Sequence, residues 1–211
     1  MKELFKKYMQ EDLKFDKETT IAIFALIIVI TGCFGWLYEF IFYFFNGGMK
    51  EFYWRGGNFL PWINIYATGS IMIYILASKY RKKPLKVFLI SVISTGILEY
   101  ISGLGMDKIA HKRCWDYSQE ILSFGNINGY VCLRSVLIFG IFSLLLMYAV
   151  IPFCYYLATK MKKKPFLILS YTLCTIILID EFYNLIFARI FHLPRAYDVY
   201  KSLGFNYVKF K

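Results

Sequence analysis

The chain has 211 residues, of which 58% are hydrophobic and 20% aromatic, and it carries a net charge of +11 at pH 7. This apolar content exceeds what a soluble domain of that length needs for one core, so the composition excludes an ordinary soluble protein and predicts an integral membrane protein. In a membrane protein the positive charge indicates contact with anionic lipid headgroups rather than with nucleic acid.

The first 19 residues predict a helix that lies on the cytoplasmic membrane surface. Residues 20–192 are expected to form a transmembrane bundle, and residues 193–211 an interfacial tail that mixes aromatic residues with lysines. The N-terminal prediction depends on apolar residues at helical spacing with lysines between them, which is typical of interfacial helices. These apolar residues are Leu4, Phe5, Tyr8, Met9 and Leu13.

Five apolar runs approach the roughly 20 residues that one membrane-spanning helix needs. They cover residues 20–45, 62–78, 85–104, 130–159 and 165–191. The sequence therefore predicts an all-α fold, a polytopic transmembrane helical bundle of about five spans with polar outer loops. Pro152 in the fourth run leaves two alternatives open, a single kinked helix or a break that changes the number of crossings.

Lysine and arginine residues predict the orientation of the chain. They cluster before the first run, after the second and after the fourth, within residues 2–17, 79–86 and 160–164. Connections rich in these residues remain in the cytoplasm. The abundance of Lys, Ile, Phe, Tyr and Asn is typical of an AT-rich bacterial genome. We therefore expect a multi-pass protein of a bacterial plasma membrane with its N-terminus in the cytoplasm.

Ionisable residues inside the predicted spans are the first candidates for a functional site. Each costs roughly 2.5–3.5 kcal/mol to place in a bilayer, so an uncompensated one is disfavoured. Counted by helical rise, those on different spans lie roughly 8–16 Å below the outer surface, and we expect Glu39, Glu99 and Arg134 to meet in one water-filled cavity. A structural ion pair that only holds helices together is the alternative. The candidates are Glu39, Glu99, Arg134, Asp180 and Glu181, with Asn184 on the same helix face as Asp180.

Two predicted outer loops add polar and aromatic side chains to this site. Residues 47–61 include Arg55 among glycines, and residues 108–128 mix aromatic, acidic and amide side chains. A loop that only bridges two helices would be short and flexible, so we expect the second loop to fold over the mouth of the bundle. Aromatic anchoring at the membrane interface is the alternative. The candidate binding residues of this loop are Trp115, Asp116, Tyr117, Ser118 and Asn126.

The sequence predicts no metal site and no cofactor. The five cysteines include no CxxC pair. Four of them lie in predicted spans and Cys114 lies in a loop, as expected of small packing residues. His111 and His192 are the only histidines of the sequence, and they lie near the ends of different spans.

Short motifs in chain order resemble a family of bacterial membrane proteins. They are Gly35-Trp36-Leu37-Tyr38-Glu39, Arg55-Gly56 with Pro61, Tyr66-x-x-Gly69, Leu98-Glu99-Tyr100, Trp115-Asp116-Tyr117-Ser118, Asn126-x-x-Gly129 and Leu133-x-Ser135. Over about residues 30–190 the set is similar to the proteins called putative ABC-transporter type IV, or putative ABC transporter permeases. The resemblance implies a membrane transport component that works with a separate ATPase.

Three functions remain open, because a fold does not fix a function. The first is a binding or transport component with an outward-facing polar cavity, for a small-molecule or lipid ligand that the sequence does not identify. The second is a partner or regulatory membrane subunit without transport. The third is an intramembrane enzyme that uses carboxylates as acid and base on a lipid or isoprenoid. The sequence contains no GxxxxGK[ST] loop and no Ser/His/Asp arrangement, which favours the non-enzymatic functions.

Overall fold

Helices dominate this computed structural model, which describes residues 1–46, 49, 52–109, 111, 113, 115–205 and 208–210. Cys114 and parts of the two loops predicted at 47–61 and 108–128 lie outside the described residues. The helices are α1 Lys2–Gln10, α2 Lys17–Asn46, α3 Asn64–Ala77, α4 Pro84–Ile109, α5 Leu133–Lys160, α6 Lys163–Ile190 and α7 Ala196–Ser202. Two three-residue strands, β1 Phe52–Trp54 and β2 Val208–Phe210, pair in parallel. The predicted all-α helical bundle is confirmed.

Within the described part of the chain, four helices are long and apolar enough to cross a membrane, namely α2, α4, α5 and α6. They have 26 to 30 residues each, so each exceeds the hydrocarbon core of about 30 Å. The second predicted span forms α3, which has 14 residues and is therefore only about 21 Å long. The chain is a multi-pass membrane protein in which the second apolar run is shorter than a regular span.

The fourth apolar run forms one helix without a break. In α5 a π turn occupies Leu146–Val150, and Pro152 follows it directly. A proline cannot donate a backbone hydrogen bond, and its ring clashes with the carbonyl four residues earlier in a regular helix. The wider π turn loosens the backbone at this point, which allows the proline to remain inside the helix. Of the two alternatives left open by Pro152, the structure has the continuous helix.

The chain divides into two compact units, and each is built from two separate stretches of sequence. Unit 1 contains Met1–Leu13 and Gly69–Phe153, and unit 2 contains Lys14–Thr68 and Cys154–Lys211. In unit 1, α4 packs along α5, whereas in unit 2, α2 packs along α6. Each unit therefore has a long helix pair as its scaffold.

The α4 helix of unit 1 has a small and polar buried side and an aliphatic exposed side. Residues four apart share a helix face. The buried series is Val87, Ser91, Thr95, Glu99 and Gly103, and the exposed series is Leu85, Leu89, Ile93, Ile97 and Ile101. Lipid tails are as apolar as leucine, so small and polar residues collect where membrane helices touch each other. This inverted pattern brings Glu99 to the side of α4 that packs on α5.

The core of unit 2 fixes the loop that precedes α3. Trp62 lies against Gly32 of α2, where an added Cβ would overlap the indole ring. The indole N–H donates a hydrogen bond to the Ile28 carbonyl at 3.1 Å. The buried core around this contact is Ala25, Val29, Trp62, Ala67, Cys174 and Ile177. The loop residues before Trp62 are thereby held close to α2 and α6.

Candidate functional site

A buried carboxylate on α4 is the centre of the polar site in unit 1. Glu99 is 2% exposed. Its Oε1 accepts a hydrogen bond from the Tyr117 hydroxyl at 2.7 Å, and its Oε2 accepts one from the Ser135 hydroxyl at 2.7 Å. Tyr117 belongs to the loop between α4 and α5, and Ser135 to the first turn of α5. We call these three residues the Glu99 cluster, in which one carboxylate joins two helices and their loop.

An ion pair between the loop and α5 lies beside this cluster. Arg134 Nη2 lies 2.6 Å from Glu120 Oε2, and the two side chains are 11% and 12% exposed. Arg134 Nη1 also donates to the Ile121 carbonyl at 2.8 Å. The guanidinium lies over the Tyr117 ring, 5.4 Å from its centroid. Tyr117 therefore contacts the acid Glu99 through its hydroxyl and the base Arg134 through its ring.

Asp116 fixes the backbone that carries Tyr117. Its Oδ1 accepts hydrogen bonds from the Ser118 hydroxyl and, at 3.0 Å, from the Ser118 N–H. Arg113 lies 3.4 Å from the same oxygen. The hydrogen bonds from Ser118, and then the charge of Arg113, hold the pKa of Asp116 below its usual range. Asp116 thus caps the short 3-10 turn Tyr117–Gln119 and sets the direction in which the tyrosine leaves the loop.

Two aromatic residues of the loop pack closely on the end of α4. A Cβ added at Gly103 would lie 2.9 Å from the Tyr130 ring and 3.2 Å from the Trp115 ring, so a glycine is required for this approach. Trp115 Nε1 donates to the Tyr130 carbonyl at 2.8 Å, and the Tyr130 hydroxyl donates to Asp107. That hydrogen bond, together with burial, raises the pKa of Tyr130. The loop is therefore a folded cap on α4.

Asn126 shapes the turn that leads into α5. Its Oδ1 accepts a hydrogen bond from the Gly129 N–H at 2.6 Å. Gly129 has a φ of +74°, which favours glycine, and a Cβ at this position would overlap Arg113 and Asp116. The Gly129 carbonyl accepts a hydrogen bond from the Tyr117 N–H at 3.0 Å. The Asn-x-x-Gly turn and the Trp-Asp-Tyr-Ser segment are thus parts of one hydrogen-bonded loop.

In unit 2, a carboxylate on α6 holds the loop that precedes α3. Asp180 is 9% exposed. It accepts hydrogen bonds from the backbone N–H groups of Phe59 at 3.0 Å and Leu60 at 2.7 Å. The Asn184 amide donates to the same carboxylate at 2.7 Å, and its carbonyl oxygen accepts from the Ala196 N–H at 2.8 Å. The polar stripe predicted from Asp180 and Asn184 therefore connects two separate backbone segments to α6.

The neighbouring carboxylate, Glu181, binds one side chain of the same loop and one of α3. Its two oxygens accept hydrogen bonds from the amides of Asn58 in the loop and, at 2.8 Å, of Asn64, the first residue of α3. Asn58 is only 3% exposed, and its carbonyl accepts a hydrogen bond from Trp54 Nε1 at 2.8 Å. Two adjacent acids on α6 thus accept from backbone and side-chain donors of the loop and of the first residue of α3.

Glu39 of α2 is paired with the arginine of this loop. Arg55 Nε donates to Glu39 Oε2 at 2.5 Å, and the two side chains are 11% and 17% exposed. The Tyr66 hydroxyl donates to Glu39 Oε1 at 3.3 Å. The Arg55 guanidinium lies 4.3 Å from the centroid of the Tyr43 ring. Aromatic residues therefore flank this ion pair.

The candidate residues fall into two groups. Unit 1 contains Glu99, Trp115, Asp116, Tyr117, Ser118, Asn126 and Arg134, and unit 2 contains Glu39, Arg55, Asp180, Glu181 and Asn184. Each group forms the contacts described above within its own unit. The expected convergence of Glu39, Glu99 and Arg134 on one cavity involves both units and stays a prediction.

The loop partner of Arg134 is not among the residues that the sequence predicts for it. The acids expected to balance this arginine are carboxylates of other spans, whereas the structure pairs Arg134 with Glu120, fourteen residues earlier in the chain. Arg55 is a candidate residue, but the sequence does not predict its pairing with Glu39, sixteen residues away. In both cases the loop next to the span contains a residue of opposite charge, and this is the sequence feature that could have indicated the pair.

The chemistry of these groups is hydrogen bonding and charge compensation. The Glu99 cluster offers one carboxylate and two hydroxyl groups beside a guanidinium, a set that suits a polar or cationic ligand. Among the described residues, no three His, Cys, Asp or Glu side chains form a group that could hold a metal ion.

Comparison with known proteins gives a family and no closer relative. A family model described as Putative ABC-transporter type IV matches residues 26–185. This range contains all twelve candidate residues of the two units. No curated protein and no solved structure matches the chain.

Proposed function

Because the chain belongs to the family described as Putative ABC-transporter type IV, we propose that it is a binding or transport component that receives a small polar or cationic ligand at the Glu99 cluster. The cluster faces outward in this proposal. The 211 residues contain no GxxxxGK[ST] loop, so any ATP-driven step requires a P-loop domain outside them.

The observation that carries the proposal is the position of Tyr117. Its hydroxyl occupies one oxygen of the buried Glu99 at 2.7 Å, and its ring lies under the Arg134 guanidinium. A ligand with an ammonium group or a hydrogen-bond donor would replace the hydroxyl on Glu99 without leaving the carboxylate unsatisfied. Burial strengthens such an interaction, because water no longer competes for the carboxylate.

In this proposal the ligand reaches the Glu99 cluster by displacement of the loop between α4 and α5. Tyr117 and Glu120 both come from the loop. The Tyr117 hydroxyl donates to Glu99 of α4, and the Glu120 carboxylate pairs with Arg134 of α5. Outward movement of this loop would break both contacts and expose Glu99 and Arg134 together. Ligand binding and loop opening are therefore coupled in the proposed cycle.

Retention of a ligand during purification tests the proposal. Tagged wild-type protein and Glu99→Gln are purified from membranes of the host cell, and the small molecules that remain bound are extracted and identified by mass spectrometry. Glutamine keeps an acceptor for Tyr117, while Ser135 can donate to the Cys132 carbonyl at 2.8 Å. The variant thus loses charge with little loss of hydrogen bonding.

The matched control is Glu11→Gln, which removes an exposed carboxylate from a surface pair with Lys7. We expect a bound molecule with the wild type and the control, and at least a tenfold lower yield with Glu99→Gln. Equal retention by all three proteins, or no retained molecule in any of them, would contradict binding at Glu99. Co-purification of a P-loop protein with the wild type would support the separate ATPase.

Unit 2 favours the partner-subunit function as a second candidate. There the carboxylates of Glu39, Asp180 and Glu181 all accept hydrogen bonds from loop groups of the same chain. Such contacts stabilise an outer surface that another membrane protein could bind. Stoichiometric capture of a membrane protein that lacks a P-loop, with no retained small molecule, would select this function. Conversion of a supplied lipid by the purified protein would instead support the enzyme hypothesis.

A further inference from the structure

Four exposed lysines surround the short connection between α3 and α4 in unit 1. They are Lys79, Lys82, Lys83 and Lys86. In the part of the chain that the structure describes, no ion pair joins any of them to a carboxylate. Among the described residues, then, no carboxylate forms an ion pair with the four lysines of this connection.

Arg81, in the middle of the same connection, is buried, unlike the four lysines, and it holds the turn in place. It is 8% exposed. Its Nε donates to the Tyr8 carbonyl at 2.7 Å, and its Nη1 lies 2.7 Å from Asp12. The Arg81 carbonyl accepts a hydrogen bond from the Tyr148 hydroxyl at 2.7 Å. The surrounding lysines consequently project from a fixed turn that is bound to both α1 and α5.

Tyr80 lies between two of the four lysines. The Lys79 and Lys86 ammonium groups lie 5.2 Å and 5.6 Å from the centroid of its ring. Tyrosine is enriched at the level of lipid headgroups, because its ring is apolar and its hydroxyl is polar. Two ammonium groups thus lie within 6 Å of the centre of one aromatic ring of this type.

An aliphatic surface continues directly from the lysines along α4. Leu85, Leu89 and Ile93 are 69%, 49% and 64% exposed. Lys86, Leu89 and Ile93 share one face of the helix, because they are three and four residues apart. A positive group followed by an apolar stripe matches a molecule with an anionic head and a hydrocarbon tail. An acidic protein surface would match the lysines but not the stripe.

We propose that this surface is a binding site for one anionic phospholipid, with its phosphate at the lysines around Tyr80 and an acyl chain along Leu85, Leu89 and Ile93. We call it the α3–α4 lipid site. The proposal is independent of the proposed transport function, because it involves neither the Glu99 cluster nor its loop.

Native mass spectrometry of the full-length protein in a neutral detergent tests the headgroup part. Phosphatidylglycerol and phosphatidylcholine are titrated into the wild type and into Lys79→Gln/Lys86→Gln. Each lysine near an anionic headgroup contributes about fivefold to affinity, so we expect phosphatidylglycerol to bind the double variant about thirty-fold more weakly. The charge-preserving Lys79→Arg/Lys86→Arg should bind like the wild type.

The control for general charge attraction is Lys2→Gln/Lys6→Gln, which removes the same charge from exposed positions of α1. We expect it to weaken phosphatidylglycerol binding by less than about threefold. Equal weakening by the two glutamine pairs would overturn the proposal, because it would mean that only net charge matters. If the test pair unfolds in a thermal melt, Lys86→Gln alone should still give about a fivefold loss.

The acyl part is tested with glycerol phosphate, which has the anionic group but no hydrocarbon chain. We expect glycerol phosphate at equal concentration not to displace phosphatidylglycerol. Leu89→Ala/Ile93→Ala should weaken phosphatidylglycerol binding while leaving all four lysines in place. Displacement by glycerol phosphate, together with unchanged lipid binding in the alanine pair, would identify a general phosphate site and would refute a lipid site.

Discussion

Replacing Asp180 by asparagine tests whether this carboxylate holds the loop of unit 2. One of its oxygens accepts from the Phe59 N–H at 3.0 Å and the Asn184 amide at 2.7 Å, and the other accepts from the Leu60 N–H at 2.7 Å. Asparagine has one carbonyl oxygen, so its own NH₂ group must face at least one of these donors. A buried donor without an acceptor costs about 1–3 kcal/mol, and hydrogen bonds to a charged group are stronger than neutral ones. We expect Asp180→Asn to lower the free energy of unfolding by about 2–4 kcal/mol.

Unfolding by sodium dodecyl sulfate from mixed detergent micelles, followed by tryptophan fluorescence, measures this change. The control is Asp198→Asn, because Asp198 is exposed and accepts one backbone hydrogen bond, from Arg195 at 3.0 Å. Asparagine keeps an acceptor for this N–H, so Asp198→Asn should change the free energy of unfolding by less than about 1 kcal/mol. Equal unfolding free energies for Asp180→Asn and the wild type would refute the view that this carboxylate fixes the loop.

Three further experiments concern unit 1 and the orientation of the chain. Arg134→Ala removes the arginine that pairs with Glu120 and should lower the free energy of unfolding by about 2–4 kcal/mol. Arg134→Met/Glu120→Leu should recover most of this loss. If it does not, loss of the Arg134–Glu120 ion pair is not the cause of the destabilisation. Since the folded-state pKa of Asp116 is lowered, its contribution to stability is present above its unfolded pKa and is lost as the pH falls through the folded value. The difference in melting temperature between the wild type and Asp116→Asn should therefore shrink between about pH 5 and pH 2, whereas a constant difference would count against this linkage. In a background without native cysteines, a cysteine at Ser118 should react with an impermeant thiol reagent outside intact cells and one at Lys83 should not; the reverse result would invert the predicted orientation.

The lengths of the apolar runs were sufficient to predict the long helices. A bilayer requires a span of about 20 residues, and a helix satisfies all the backbone hydrogen bonds of such a span within the segment itself. The apolar run at residues 62–78 is longer than α3, since it includes Trp62 and Ile63, which belong to the loop before the helix starts at Asn64. Apolar run length also does not decide whether the helix breaks at Pro152. A π turn next to a proline depends on local backbone geometry that hydropathy does not report.

The polar contacts were harder to predict than the helices, for a different reason. Insertion cost identifies Asp180 as a residue that needs partners, but those partners are backbone N–H groups of Phe59 and Leu60, 121 and 120 residues earlier. Backbone donors have no signature in the sequence. Tyr117 and Ser135 were visible as motif residues, yet only the fold of the loop brings both to the same carboxylate.

The sequence separation of the charged pairs has a consequence for synthesis and membrane insertion. Glu39 and Arg55 are sixteen residues apart, and Glu120 and Arg134 are fourteen residues apart. Each pair can therefore close soon after the ribosome has added its second member, and neither charge must wait unneutralised in lipid for a distant helix. Asp180 is synthesised after the loop that it binds is already complete. The three charges inside helices are those of Glu39, Arg134 and Asp180. The partner of Glu39 is translated within a few seconds of it, and the partners of Arg134 and Asp180 are already present when their helices leave the insertion machinery.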